Sequence, residues 1–458
     1  MKPLRLSLPR PARWAHDGLA LGMLFGWILS FPLFGPLLMR GGGEQAPLLG
    51  ILYLFVHGAG LLTLHLLPPA VGESQSGVRS AGALLALGTI LFPAMGRLAG
   101  LQLAAITVLA LLSAYLVLAW TPLLSKSENP LASLTLAMAT ANLVLALANL
   151  PLPDEASSAW GLLAMLPLLG AYSIATAHDR PDPSPAPSPR PRALWPAVLP
   201  LGAFALADYF VGGIWYQAAT AASVDGGAWR PTFESLLSAA GVSLFYLRAR
   251  SSHTSALVRD CLSLLGLGLL LAAAGAAGPL GVMAYRSLLL VGLVAGDLFY
   301  WHQLWSLGTA LGVRRIMGLG LGSSLWLIGA ASLITAHPAA PLPSRLFLVI
   351  GAVILFLAIP VIYRYPSVGG GRRNQAAAEP VAALILRRLS EAEQQVYKLL
   401  INGATDQEIA EQLFISKHTV KFHVRNILHK VGVANRRELL ARLLVGQSAA
   451  ASQHLRRE

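Results

Sequence analysis

Apolar runs of about twenty residues recur along this chain and stop near Tyr363. Twelve can be read, at residues 17–39, 46–67, 81–95, 101–123, 131–152, 160–176, 194–217, 232–246, 261–278, 280–301, 317–336 and 346–363. Runs of this length match the ~30 Å hydrocarbon core of a bilayer. A single segment in lipid satisfies its own backbone as a helix. The expected fold is therefore all-α, a polytopic membrane bundle of twelve helices arranged six plus six, with a small helical domain after it. Glycine and proline are frequent inside the runs, which lipid helices tolerate.

Two stretches interrupt this pattern. Residues 178–193 read HDRPDPSPAPSPRPRA, in which six of sixteen residues are proline. With no apolar face, this stretch is expected to be an extended linker. It separates a first half at 17–177 from a second at 194–363. Residues 364–388 are Gly-rich, then basic, then polar, as in a flexible tether. Beyond them lie a soluble module at 389–446 and a polar tail at 447–458.

Composition agrees with the pattern. Of 458 residues, 55% are hydrophobic and 12% charged, which excludes a disordered chain and an ordinary soluble enzyme. The single cysteine, Cys261, excludes an intramolecular disulfide and a cysteine-based zinc site. The net charge of +13 becomes informative once it is located. With the basic stretch 1–16 placed in the cytoplasm, inside segments hold 17 Lys and Arg and outside segments hold 4. This asymmetry is expected to orient the chain with both termini cytoplasmic. The run at 17–39 is too long for a cleavable signal and is expected to anchor the mature protein.

The module at 389–446 changes the periodicity to that of short amphipathic helices with explicit start signals. Ser390 with Glu393, and Thr405 with Glu408, have capping-box spacing. Ser416 and Asn435 are placed to cap a third and a fourth helix. Inward positions are Val396, Leu399, Leu400, Ile409, Ala410, Leu413, Val420, Val424, Ile427, Leu428 and Val431. Two short helices joined by a tight turn, the second with a basic outer face, fit a helix-turn-helix. Lys417, Lys421, Arg425 and Lys430 lie in that second helix with no acidic residue among them. A face of this kind meets phosphates and base edges of double-stranded DNA, although a solvated basic face would look the same.

These residues closely resemble the DNA-binding module of LuxR-type transcription regulators. The stretches that carry the resemblance are Glu408-Ile409-Ala410, Ile415-Ser416, Thr419-Val420-Lys421 with His423, and Lys430-Val431-Gly432-Val433 before Asn435-Arg436. Ala392, Tyr397 and Val431 depart from the usual residues, as packing variations. The resemblance implies that Lys421, Phe422 and Arg425 face the groove, with Lys417 and Thr419 near phosphate. It also implies a homodimer through the fourth helix, with Arg437, Leu440 and Leu443 in the contact.

The membrane part resembles, by topology alone, the major facilitator transporter architecture. Charges inside spans are costly and mark candidate sites. Glu234 and Asp297 fall near span ends and are expected to be interfacial. Asp208 and Arg286 are deeper, at similar expected depths, so an Asp208–Arg286 pair is anticipated. It serves either as a polar ligand site or as a buried clamp fixing helix register. Tyr209, Tyr285 and Trp27 are the candidate aromatic walls. His57 and His65 are expected to be packing or hydrogen-bonding residues, and the glycines of Gly318-Leu319-Gly320-Leu321-Gly322 to serve helix packing. Trp120, Trp160, Trp195, Trp215, Tyr216, Tyr300, Trp301, Trp305 and Tyr363 fall near run ends and are assigned to an interfacial aromatic belt. No metal site, cofactor, nucleophile triad or phosphate-cradling loop is legible, and no enzymatic activity is expected.

The function expected is a one-component regulator in the membrane. Its twelve-helix part would sense a small molecule of unknown identity while the tail binds promoter DNA. A secondary transporter with a fused regulatory tail is the alternative. Proteolytic release of the tail near Gly370 is a further one.

Overall fold

The computed structural model describes residues 13–33, 35–68, 74–97, 99–150, 157–177, 201–210, 229–251, 254–274, 278–336, 389–401, 404–413 and 415–431, with scattered positions at 349–357 and 433–439. Two compact units result, Met1–Ser367 and Val368–Glu458. The linker, the tether, most of the twelfth run, and Arg437, Leu440 and Leu443 lie outside the described residues.

All regular structure among the described residues of the first unit is helical. Its helices are α1 (Arg13–Ser30), α2 (Pro36–Gly41), α3 (Ala46–Leu64), α4 (Gln75–Leu91), α5 (Ala99–Ser125), α6 (Pro130–Ala148), α7 (Ser157–Ala177), α8 (Leu201–Phe210), α9 (Arg230–Ser251), α10 (Thr254–Ala273), α11 (Gly278–Leu311) and α12 (Val313–Ala336). Seven helical segments among the described residues are long and apolar enough to cross a membrane. They involve α3 to α7, α11 and α12. Charged residues hold α9 below that standard, with Arg230, Glu234, Arg248 and Arg250 inside it.

The first run divides where the sequence expected one span. Pro32 and Pro36 lack the N–H that would continue the helix. α1 stops at Ser30, and α2 restarts with Pro36 in its first turn. Gly35 makes the corner, since a Cβ there would collide with the Ser30 and Leu29 carbonyls.

Small residues set the helix packing. Gly18, Gly22 and Gly26 recur every four residues and form one face of α1. A Cβ at each would stand 2.7 Å from Ser133 O, Thr140 Cβ and Val144 Cβ of α6. Close backbone approach is what lipid-embedded helices gain from such a stripe. The Gly318–Gly322 stretch works the same way. Gly318 and Gly322 lie on α3, 2.8 Å from Leu61 O and Gly58 O by the same measure, and Gly320 faces Leu304 of α11. The two halves meet through α3 on α12 and α6 on α9. Trp326 Nε1 donates to Phe55 O (3.2 Å) across the first seam, and Asn149 Nδ2 to Ser235 Oγ (3.4 Å) across the second.

Trp120, Tyr300 and Trp301 belong to the core and not to an interfacial belt. Trp120 is fully buried, and its indole N–H donates to Asp17 O at 2.8 Å. His57 is buried with Nδ1 within hydrogen-bond reach of Ser113 Oγ (2.8 Å), Tyr53 Oη (3.1 Å) and Ala110 O (3.1 Å). His65 Nδ1 meets Leu61 O at 3.2 Å. Both histidines serve packing and hydrogen bonding, as the sequence indicated.

The second unit contains α13 (Glu391–Ile401), α14 (Asp406–Leu413) and α15 (Lys417–Val431). Its core is Leu389, Val396, Tyr397, Leu400, Ile409, Ala410, Val420, Ile427, Val433 and Leu439, with Leu399, Leu413, Val424, Leu428 and Val431 packed against it. Tyr397 is fully buried with no hydrogen-bond partner for its hydroxyl, and burial pushes its phenol up from the ordinary value. A buried, unsatisfied hydroxyl costs roughly 1–3 kcal/mol. Tyr397→Phe should therefore stabilise the unit by about 1 kcal/mol, read as a higher denaturant midpoint at unchanged slope.

Candidate functional site

The start signals read in the tail are made. Ser390 N–H donates to Glu393 Oε2 (2.8 Å), and Glu393 N–H to Ser390 Oγ (3.4 Å). Thr405 N–H donates to Glu408 Oε2 (2.6 Å), and Glu408 N–H to Thr405 Oγ1 (3.3 Å). Ser416 Oγ accepts from Thr419 N–H (3.0 Å), and Asn435 Oδ1 from Glu438 N–H (2.9 Å). These contacts fix where α13, α14 and α15 begin, and so fix which faces point outward.

On α15, Val420 and Ile427 point into the core, which turns Lys417, Lys421, Phe422 and Arg425 outward. All four are exposed, and Phe422 is 55% exposed. Lys417, Lys421 and Arg425 are spaced by four and share one face. An aromatic ring left that exposed beside two cations has no role in holding this core together. Thr419 is half-buried, with its Oγ1 2.7 Å from Ser416 Oγ, so it also belongs to the cap of α15.

Lys430 departs from the expected basic face. Its Nζ lies 2.7 Å from Glu393 Oε2 and ties α15 back to α13. This contact is the main reason the Glu393 carboxyl is held below the ordinary glutamate range; burial opposes it and Ser390 adds to it. One carboxylate therefore serves both the capping box and the interhelical pair.

In the membrane unit the candidate residues separate. Arg286 is 2% exposed and forms a two-pronged pair with Glu234, Nε–Oε1 at 2.7 Å and Nη2–Oε2 at 3.0 Å. Arg230, one turn before Glu234, adds a second cation at 3.8 Å. The anticipated Asp208–Arg286 pair does not form. Asp208 packs against α11 at Gly296, where a Cβ would collide with its carboxylate. Gly296 is ten residues beyond Arg286, about 15 Å along the helix. The outer end of α11, Gly278, lies within two residues of the run end from which Arg286 was counted, so the pairing failed on the register of α8 against α11, which packs Asp208 at Gly296.

Asp208 instead shares its surroundings with Asp297. Asp208 is 1% exposed, and neither of its carboxylate oxygens has a hydrogen-bond partner. Asp297, half-buried, lies within Coulombic range of it. Tyr209 is buried, with its ring 5.3 Å from that of Tyr300 in an edge contact. Its hydroxyl lies near Asp297 without reaching hydrogen-bond geometry. Trp27 stands elsewhere, fully buried in the first half with its N–H donating to Thr89 Oγ1 at 2.9 Å. Tyr285 sits beside Arg286, half-buried against the core. Only Asp208 and Tyr209, of the five residues proposed for a ligand, come together. Asp297 and Glu234 carried the same signal, a charge inside an apolar run, and were set aside on depth.

Comparison with known proteins divides at the same place. Residues 387–443 match the family described as "Bacterial regulatory proteins, luxR family". Spore germination protein GerE of Bacillus subtilis is 41% identical over 56 residues, which cover 12% of this chain and 76% of that protein. The nitrate/nitrite response regulator protein homolog of Haemophilus influenzae is 43% identical over 51 residues, 11% of this chain and 24% of that protein. The membrane unit is similar in fold to solved transporters. The human organic anion transporter MFSD10 aligns with a TM-score of 0.51 and 17% identity, over 77% of this chain and all of that one. A bacterial homologue of the iron transporter ferroportin aligns at 0.50 and 15%, over 78% of this chain and 99% of that one. Through its C-terminal segment, then, the chain belongs to the luxR family of bacterial regulatory proteins. It is a transcription regulator with a LuxR-type helix-turn-helix, joined in one polypeptide to an all-helical unit with a transporter-like fold.

Proposed function

We propose that this protein is a one-component, membrane-embedded transcription regulator. The transporter-like unit senses a small ligand, and the tail binds promoter DNA on the cytoplasmic side of a bacterial inner membrane. The observation that carries this reading is the union, in one chain, of a DNA-binding module and a helical unit with seven membrane-capable segments. Lys421, Phe422 and Arg425 read base edges, and Lys417 and Thr419 hold phosphate. Two tails pair through Arg437, Leu440 and Leu443. No chemistry is required of the protein. Ligand acts by binding two arrangements of the helical halves with different affinity, which is the sole way a ligand can shift such an equilibrium. The transporter-like fold also favours a second reading, transport with a fused regulatory tail.

Membrane vesicles with the full chain, cytoplasmic face outward, should retain duplex DNA from the upstream region of its own gene. Salt should release that DNA steeply, because the affinity rests on displaced counterions. Retention no greater than that of vesicles carrying a chain ended at Tyr363 would overturn the regulator reading. Ligand uptake into sealed vesicles, undiminished by removal of the tail, would favour the second reading.

A further inference from the structure

We propose that Asp208 and Asp297 form a binding site for a small monovalent cation inside the second half of the membrane unit. The inference rests on the sensor reading above for its role, and on the geometry alone for the site.

The argument begins with Asp208. A carboxylate removed from water needs donors or a counter-charge. Asp208 is 1% exposed, and neither of its oxygens accepts a hydrogen bond. The second observation is the Tyr209 hydroxyl, on a residue 5% exposed, also without a partner and directed toward the Asp297 carboxylate. Two acids and a neutral hydroxyl oxygen converge where, among the described residues, no cation pairs with Asp208.

The surrounding groups decide what the site can take. Cys261 of α10 donates its thiol to Gly292 O at 3.2 Å, and Tyr300 of α11 donates its hydroxyl to Gly320 O at 3.2 Å, so both are already committed. Arg286, the one cation on α11, stands eleven residues from Asp297, about 16 Å along the axis, and is held by Glu234. Among the described residues no three His, Cys, Asp or Glu gather as a divalent metal would require. One unit of positive charge is what the pair lacks, because the Asp208 carboxylate, closed off from water, cannot stand ionised near the half-buried Asp297 without compensation. The α11 backbone at Gly296 lies directly against the Asp208 carboxylate, which argues against a bulky organic cation there. A proton and a sodium, potassium or ammonium ion share this chemistry.

α8 and α11 carry the two acids, so occupancy of the site draws these helices together. That is the kind of differential contact a sensor needs.

The test uses the purified full chain in lipid nanodiscs. Its thermal unfolding midpoint is measured with sodium, potassium or ammonium replacing choline at constant ionic strength and alkaline pH. A second arm holds choline and lowers the pH to mildly acidic values. An alkali or ammonium site raises the midpoint by several degrees in the first arm, and a proton site raises it in the second. In either case Asp208→Asn and Asp297→Asn should abolish the rise. A wild-type midpoint indifferent to all three ions and to pH would overturn the proposal, as would a response kept in both variants. If the variants do not fold, infrared spectra of the wild-type chain decide. A protonated-carboxyl band that persists where the exposed acids are ionised, or a carboxylate band that shifts when sodium, potassium or ammonium replaces choline at constant alkaline pH, supports the site, and the absence of both overturns it. Promoter retention is scored separately, so that a cation-responsive chain whose DNA binding never changes would keep the site and lose the sensor reading.

Discussion

Replacing Glu234 with alanine should unfold the membrane unit more readily than any other single charge removal in it. The substitution leaves Arg286, 2% exposed, and Arg230 facing one another without the carboxylate between them. Breaking a buried pair costs roughly 3–5 kcal/mol, because the surviving charge has lost both water and partner. Arg286→Met should cost less, about 3 kcal/mol at most, since Arg230 stays beside Glu234 at 3.8 Å. Denaturant titration in micelles, followed by tryptophan fluorescence, would measure both. A double-mutant cycle separates this clamp from the acid site. Arg286→Met and Asp208→Asn should be additive within about 0.5 kcal/mol, because Asp208 meets α11 at Gly296, about 15 Å along the helix from Arg286. Coupling well beyond that would restore the Asp208–Arg286 pair that the fold does not make.

The DNA face should divide its residues by role. Lys421→Ala and Arg425→Ala are each expected to weaken binding to a specific site by about 1–3 kcal/mol and to relax its sequence preference. Lys417→Ala should weaken binding to all sequences alike and reduce the salt slope by about one. Lys430→Ala should leave the salt slope alone and lower the stability of the tail, because Lys430 is spent on Glu393 at 2.7 Å. Fluorescence anisotropy over a salt series, with a denaturant curve for each variant, distinguishes these outcomes. Full affinity in both Lys421→Ala and Arg425→Ala would remove α15 as the recognition helix.

The two units differ in how much of them could be read in advance. In the tail nearly every local signal is realised. Ser390, Thr405, Ser416 and Asn435 cap where their spacing indicated, and the inward residues named from periodicity are those that pack. Capping and amphipathic periodicity act within three or four residues, so a one-dimensional reading captures them. Lys430 escaped because its partner Glu393 lies 37 positions away.

In the membrane unit the sequence by itself determined that the chain is helical, apolar enough for lipid, and divided by a proline-rich linker. It also marked Asp208, Glu234, Arg286 and Asp297 as charges in costly places. Tertiary structure alone decided how they pair. Apolar runs give a helix direction and an approximate end, but register between neighbours comes from close packing at small residues, such as Gly18, Gly22 and Gly26 on α6 or Gly296 on Asp208. α11 begins at Gly278, two residues from the end that the depth of Arg286 was counted from, so that end was read closely. A depth along one helix still does not choose a partner on another. Packing at Gly296 sets Asp208 ten residues along α11 from Arg286, about 15 Å and beyond side-chain reach, while Glu234 of α9 meets Arg286 directly.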